Sequence, residues 1–197
     1  MLKAAVLGAT GNVGQIFVQL LNGHPWFKVS VVAASERSTE RTYSKAAKWR
    51  QTTPMPQEVA DLEVVTIEPK AVKDIDVVFS ALPADIAGKT EENFAKAGYI
   101  VMSNASAHRM DPDVPLLNPE INCDHVSLIE EQRKRRKWDG AIVTNPNCST
   151  AVLTLPLKPI YDKFGINKVV VTTMQAVSGA GYPGVPSLDI IDNVIPF

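Results

Sequence analysis

Gly8-Ala9-Thr10-Gly11-Asn12-Val13-Gly14 constrains the fold of this chain more than any other stretch. It follows a short apolar run at residues 3–7 that reads as a buried parallel strand. It opens a segment in which Val13, Ile16, Phe17, Leu20 and Leu21 recur at helical spacing on one face, closed by Asn22-Gly23-His24-Pro25. Glycines at 8, 11 and 14 permit a tight turn, close approach of the backbone to a pyrophosphate, and close packing of helix on strand. The helix then points its N-terminus at the phosphates. A Gly-x-x-Gly-x-x-Gly string alone is common. Between a strand and an amphipathic helix it reads as a dinucleotide loop, with Gly8, Thr10, Gly11, Asn12, Val13 and Gly14 as its cofactor-binding residues. A strand–helix turn without a ligand is the plain alternative.

Runs at 28–34, 62–67, 76–81, 99–102 and 141–144 are apolar enough for further strands, and 85–97 reads as a helix. Strands alternating with helices imply α/β architecture, a mostly parallel, doubly wound Rossmann-like sheet. Residues 3–7 and 76–81 are expected as its central strands, with the glycine loop at their carboxyl edge. Residues 111–119 hold three prolines and read as a connection; 124–138 reads as a helix with Val126, Leu128 and Ile129 as its apolar contacts. Beyond Cys148 the pattern predicts a proline-interrupted helix to about Phe164, a strand at 168–174, and then Ser178-Gly179-Ala180-Gly181-Tyr182-Pro183-Gly184. This divides the chain into a dinucleotide-binding domain, 1–146, and the start of an α+β catalytic and dimerisation domain, 147–197. About fifty residues are too few for a large independent core, and the apolar tail at 190–197 reads as the front of something longer.

With 20 Lys and Arg against 21 Asp and Glu, the chain lacks the basic footprint of a nucleic-acid binder. The basic run Arg133-Lys134-Arg135-Arg136-Lys137 follows Glu130-Glu131 and reads as a solvated helix end complementing the dipole. No apolar run approaches the ~20 residues that span a membrane, no cleavable signal is read, and no metal is called for. Two cysteines, Cys123 and Cys148, make no disulfide framework, which points to the cytoplasm.

About twenty residues past the loop, where such folds read the ribose, stands Ser35-Glu36-Arg37-Ser38. Glu36 could accept from a 2′-hydroxyl, as in NAD binding. Ser35, Arg37 and Ser38 could instead hold a 2′-phosphate, and an arginine between two hydroxyls suits phosphate better. NADP is therefore favoured.

Cys148, in Pro146-Asn147-Cys148-Ser149-Thr150, stands where the 141–144 strand passes through Asn-Pro-Asn into a helical pattern. Unpaired N–H groups and the helix dipole stabilise a thiolate there, which is what a nucleophilic cysteine needs. The plain alternative is a small buried apolar residue, against which the polar lead-in argues. Cys123 has no such context and reads as structural. A nucleotide loop followed by an activated cysteine points to nicotinamide-dependent chemistry through a thioester.

Four segments carry a resemblance: the glycine loop, Ser103-Asn104-Ala105-Ser106-Ala107-His108-Arg109-Met110, Asn145-Pro146-Asn147-Cys148-Ser149-Thr150, and Gln175-Ala176-Val177-Ser178-Gly179-Ala180-Gly181. In this order they resemble the aspartate-semialdehyde dehydrogenase family in its archaeal and fungal branch. The resemblance implies reduction of L-aspartyl 4-phosphate by NADPH on the route to lysine, threonine and methionine, by a homodimer or homotetramer acting on a small-molecule substrate. It implies Cys148 as the nucleophile of a thioacyl intermediate and Gln175 as the group that orients substrate. It further implies Arg109 as the holder of substrate phosphate, Asn147 beside the cysteine at the acyl site, and Ser178, Gly179, Ala180 and Gly181 around the dinucleotide. Arginine offers a bidentate fork to phosphate, and an amide can donate and accept around a carbonyl. A surface ion pair for Arg109 and a strand-end structural hydrogen bond for Gln175 are the plain alternatives.

In that family the acid–base histidine comes from a later part of the catalytic domain. None of His24, His108 and His125 matches it, so the chain reads as the first part of a longer enzyme. A malonyl-CoA reductase shares much of the scaffold but handles a coenzyme A thioester; the Asn147-Cys148 pair and the Ser-Asn-Ala-Ser run favour the aspartyl branch. A non-catalytic nucleotide-binding module is the alternative from another class.

Overall fold

The computed structural model describes residues 1–181 and 184–195. Tyr182, Pro183, Pro196 and Phe197, parts of two segments singled out above, lie outside the described residues. Two compact units are present, Met1–Ile166 and Asn167–Phe197.

The first unit is built on six strands: β1 (Leu2–Leu7), β2 (Phe27–Ala34), β3 (Val64–Thr66), β4 (Val77–Ser80), β5 (Ile100–Ser103) and β6 (Ala141–Thr144). Their order is β3-β2-β1-β4-β5-β6, and every neighbouring pair is parallel. The chain winds outward from β1 to β3, then crosses back to β4, so the winding reverses between β1 and β4. Ligands of open α/β sheets sit at such a reversal, beyond the carboxyl ends of the strands. The glycine loop leaves β1 at that point, as the sequence predicted.

Period-two alternation divides the strands between two cores. Ala5, Leu7, Ala33, Val78, Val101 and Ile142 face Phe94 and Ala95 of α2 (Ala84–Lys96; α1 is Asn12–Leu21). Ala4, Val6, Val29, Val32, Val64 and Val77 face the side that holds Val18 and Leu21 of α1 and Tyr43. Two further helices follow, α3 (Leu128–Arg136) and α4 (Cys148–Phe164), the latter running through Pro156 and Pro159. No helix of the described residues is long and apolar enough to cross a membrane.

Three expectations need correction. The buried face of α1 is Gly14, Gln15, Val18 and Leu21, whereas Val13, Ile16 and Leu20 are exposed. The helix approaches the sheet through its smallest residue, and Gln15 is drawn inward because the loop consumes its amide. The 124–138 helix is instead a 3₁₀ turn, Cys123–Ser127, followed by α3; Val126 is exposed, and the buried residue of α3 is Gln132. Gln132 donates to the carbonyls of Asp113 (3.1 Å) and Ile142 (2.9 Å) and accepts from the Ile142 N–H (2.8 Å), spending its polarity on the edge of β6. The basic run is not wholly solvated either: Arg133 Nε donates to the Gly140 carbonyl (3.1 Å), and Arg136 is engaged by carboxylates described below.

The second unit holds a 3₁₀ turn, Val177–Ala180, and a helical turn, Ser187–Ile190. The strand expected at 168–174 does not form; this stretch is exposed and irregular. A strand needs a neighbour to satisfy its backbone groups, and its own unit offers none among the described residues.

Candidate active site

Gly8 has φ +72°, and a Cβ there would lie 2.8 Å from the Ala81 carbonyl oxygen. A Cβ on Gly14 would strike the Gly8 carbonyl and lie 2.7 Å from Ala9 Cα. These two positions accept no side chain, so backbone alone lines the turn. Helix α1 begins after Gly11 with no side-chain cap and no acidic residue in its first turn. Its leading N–H groups, orphaned by helix geometry, are what a pyrophosphate would accept from.

Two buried polar residues brace this loop from behind, and neither was singled out in the sequence. Gln15 Nε2 donates to the carbonyls of Thr10 (2.9 Å) and Lys48 (3.0 Å), while Gln15 Oε1 accepts from the Arg50 N–H (2.8 Å). The Tyr43 hydroxyl donates to the Ala9 carbonyl at 2.7 Å, and burial pushes its phenol well above the ordinary range. Only a polar residue at a nominally helical or loop position could have signalled them.

At the end of β2, Ser35 leads into a 3₁₀ turn, Glu36–Ser38. Ala9 N–H donates to the Ala33 carbonyl (3.1 Å), so this turn stands on the same carboxyl edge as the glycine loop. Ser35, Glu36 and Arg37 are exposed and Ser38 half-buried; no ion pair among the described residues engages Arg37.

On the other side of β1 the carboxyl edge forms a backbone rail. Ala81 N–H donates to the Leu7 carbonyl (3.0 Å), Asn104 N–H to Ser80 (3.0 Å), and Asn145 N–H to Ser103 (3.1 Å). Each strand's exit residue is thus tied to the end of the strand before it. The Asn145 amide also donates to Asn104 Oδ1 (2.9 Å), and Arg109 Nη2 donates to the Asn104 carbonyl (2.9 Å). Arg109 Nε is buried without a partner among the described residues. Asn147 then caps α4, its Oδ1 accepting from the Ser149 N–H (2.9 Å). Cys148, the first residue of α4, is exposed, with Sγ 3.9 Å from Asn147 Oδ1. Arg109, Asn147 and Cys148 are therefore gathered through Asn104 and Asn145, on the edge that also carries the glycine loop. Cys123, expected to be structural, is exposed in its 3₁₀ turn.

Beneath this corner lies a charged network that residue-by-residue reading did not find. Arg136 donates to Asp113 (Nε to Oδ2, 2.6 Å; Nη2 to Oδ1, 2.6 Å) and to Asp111 Oδ2 (2.8 Å). His108 Nδ1 lies 2.8 Å from Asp111 Oδ2, and its Nε2 lies 3.0 Å from the Gly88 carbonyl. The Arg136 hydrogen bonds hold the Asp113 carboxyl below its usual range against the effect of burial. For Asp111 burial pushes upward most strongly, yet hydrogen bonds from Arg136 and His108 together with their charges bring it below the usual value. The same pairing, with Asp113 foremost, raises Arg136. None of the three histidines is idle: His24 Nδ1 accepts from the Trp26 and Phe27 N–H groups (3.2 and 3.3 Å), and His125 Nδ1 lies 3.0 Å from Asn122 Nδ2.

Gln175 and Ser178, Gly179, Ala180 and Gly181 belong to the second unit. There Gln175 precedes the 3₁₀ turn and the Gly181 N–H donates to the Ser178 carbonyl (3.2 Å).

Residues 3–129 match the semialdehyde dehydrogenase NAD-binding domain family, and residues 157–197 match the semialdehyde dehydrogenase dimerisation domain family. An aspartate-semialdehyde dehydrogenase of Methanothermobacter thermautotrophicus is 58% identical over the whole of this chain, which covers 56% of that protein. A malonyl CoA reductase (NADP) of Metallosphaera sedula is 49% identical over 99% of this chain, covering 54% of its length. The crystal structure of Candida albicans aspartate-semialdehyde dehydrogenase with NADP superposes with a TM-score of 0.86 at 42% identity, over all of this chain and 56% of that one. The chain thus spans little more than half the length of the relatives it matches. The NAD-binding domain match over residues 3–129, with the dimerisation domain match following it along the chain and the relatives above, establishes that this chain belongs to the semialdehyde dehydrogenase family.

Proposed function

We propose that this chain is the nucleotide-binding and nucleophile-bearing part of an NADP-dependent aspartate-semialdehyde dehydrogenase, acting in the formation of lysine, threonine and methionine. One observation carries the reading: Cys148 opens α4 beside Asn147, while Asn104 and Asn145 tie that turn to Arg109. Residues 1–146 would form the dinucleotide domain and 147–197 the start of the catalytic and dimerisation domain. A homodimer or homotetramer is the assembly proposed, supported by the dimerisation-family match and by exposed Val152, Leu155, Ile160, Tyr161 and Phe164 along α4. A cytoplasmic location suits two free thiols.

Cys148 Sγ attacks the acyl carbon of L-aspartyl 4-phosphate, the C–O bond to phosphate breaks, and a thioester forms. Arg109 holds the departing phosphate, whose charge its planar fork matches. Asn147 offers an amide beside the acyl group, and Gln175 orients the substrate. Gly8, Thr10, Gly11, Asn12, Val13 and Gly14 would hold the pyrophosphate; Ser178, Gly179, Ala180 and Gly181 match the family's second dinucleotide loop. Ser35, Arg37 and Ser38 hold the 2′-phosphate. NADPH held by these residues would supply the hydride chemistry that reduction of a thioester to an aldehyde needs.

The test is phosphate-dependent NADP reduction with aspartate semialdehyde, run beside NADPH oxidation with malonyl-CoA. In an enzyme that also carries the family's later acid–base histidine, semialdehyde turnover that vanishes in Cys148→Ser is expected, whereas these 197 residues alone should form little or no aldehyde. Turnover of malonyl-CoA alone would instead support the second reading, a malonyl-CoA reductase, which the 49% identical relative of that name favours. Arg37→Ala is expected to weaken NADPH by about 1.5–3 kcal/mol more than NADH; equal losses would remove the 2′-phosphate role.

A further inference from the structure

The Arg109 corner is held from below by α2, through a carboxyl that no part of the proposed reaction uses. Glu91 is completely buried in the middle of that helix. Its Oε1 accepts from two hydroxyls, Ser80 Oγ at 2.6 Å and Ser103 Oγ at 2.8 Å, the terminal residues of β4 and β5. Ser103 Oγ in turn accepts from the Ala105 N–H at 3.1 Å. Between Ser103 and Ala105 stands Asn104, whose N–H is tied to the Ser80 carbonyl and whose own carbonyl accepts from Arg109. We propose that Glu91 is a positioning residue for the anion subsite: by clamping the Ser80 and Ser103 hydroxyls it fixes the Asn104 turn that aims Arg109 beside Cys148. The proposal rests on Arg109 being the phosphate ligand.

A buried carboxyl is costly unless its hydrogen bonds are made, so an apolar residue would be the ordinary choice in a helix face against a sheet. Glu91 is kept where two hydroxyls converge on one oxygen. Its Oε2 has no partner among the described residues. Burial pushes the carboxyl upward, against the two serine hydrogen bonds and the charge of His108, and thereby favours the neutral acid. A neutral acid has the shape of an amide, whose oxygen can accept both hydroxyls equally well. Arg109 needs such aiming because its Nη2 already serves the Asn104 carbonyl while its Nε is buried with no partner among the described residues. Displacing that carbonyl swings the whole fork. His108 supplies a second hold on the same helix through the Gly88 carbonyl.

The experiment measures how well inorganic phosphate protects Cys148 from iodoacetamide, beside NADPH affinity by fluorescence titration. Arg109→Ala should abolish protection; if it does not, the phosphate reading itself fails. Glu91→Leu, matched in size but unable to accept, should weaken phosphate protection by about fivefold or more, the worth of one well-made hydrogen bond. Glu91→Gln should restore it to within about twofold, because its carbonyl accepts both hydroxyls. NADPH affinity should hold in both, which a general loosening of the fold would not allow. Ser103→Ala removes the half of the clamp next to Asn104 without touching the helix and should weaken protection in the same direction as Glu91→Leu, even if the latter does not fold. Protection at the unsubstituted level in folded Glu91→Leu or Ser103→Ala, with Arg109→Ala defective, would overturn the role of Glu91 alone.

Discussion

The glycine loop and the cysteine turn are the same device built twice, in opposite ways. Each carries the chain from the carboxyl end of a strand into a helix. At the first, β1 to α1, shape does everything: Gly8 and Gly14 exclude side chains, and α1 starts without a side-chain cap, leaving its amides for a ligand. At the second, β6 to α4, side chains do the work, because Asn147 takes the Ser149 amide and leaves the exposed thiol of Cys148 as the reactive group. The supports differ in kind too. Neutral Gln15 and Tyr43 brace the glycine loop, whereas the 103–113 segment beside the cysteine rests on Glu91, His108, Asp111, Asp113 and Arg136. A phosphate-binding turn asks for bare backbone, while a nucleophile asks for a fixed side-chain neighbourhood.

If the first turn depends on shape alone, one methyl group should break it. Gly14→Ala is expected to weaken NADPH binding by about 5- to 150-fold, since overpacking against backbone costs about 1–3 kcal/mol. The rate of Cys148 alkylation should stay within about twofold of the unsubstituted rate. Titration and mass spectrometry read the two separately, and a parallel loss of alkylation would show that the turns are one unit.

Charge should break the second turn's support and spare the first. Arg136→Met removes the partner of Asp111 and Asp113 and is expected to cost about 2–3 kcal/mol in denaturant unfolding. Acid should act similarly. Both aspartates are held below 3.8 in the fold, so their contribution is present above 3.8 and is lost as pH falls through their depressed values. Arg136→Met should flatten that loss; an unchanged acid limb would mean that the pairing contributes nothing.

Glu91 runs the other way. Its folded carboxyl is raised above 4.5, so folding is penalised as pH climbs above 4.5, where the unfolded chain ionises first. Glu91→Gln lacks this penalty, so its stability relative to the unsubstituted chain should rise across that window, by at most about 1.4 kcal/mol per pH unit. Parallel stability curves would place the carboxyl in water. The smallest expected effect sharpens the contrast in capping: Asn147→Ala should cost about 1 kcal/mol, with NADPH affinity unmoved.

The parts of this structure legible in the sequence are those written in local terms. Strands β1, β2 and β4 are rich in β-branched and apolar residues, and the glycine loop and Pro146-Asn147-Cys148 turn announce themselves by residue type. Side chains whose partners are distant in sequence were not legible. Glu91 and Gln132 sit in helices where polarity ordinarily means solvent, and only Ser80, Ser103 and Ile142, brought near by the sheet, show them to be internal. Ile16 and Leu20 misled for the same reason: an apolar stripe does not say which neighbour will cover it. The 168–174 strand failed because pairing is a property of two segments, and one cannot specify it.

The rail along the carboxyl edge bears on where a chain of this design can change length. Ala81, Asn104 and Asn145 each hang from the end of the preceding strand, so the spacing between a strand's last residue and its exit is fixed at every step. One residue added between Ser103 and Asn104 would turn Asn104 to the opposite face and pull Arg109 and Asn145 out of reach of each other. Insertions and deletions should therefore collect away from this edge.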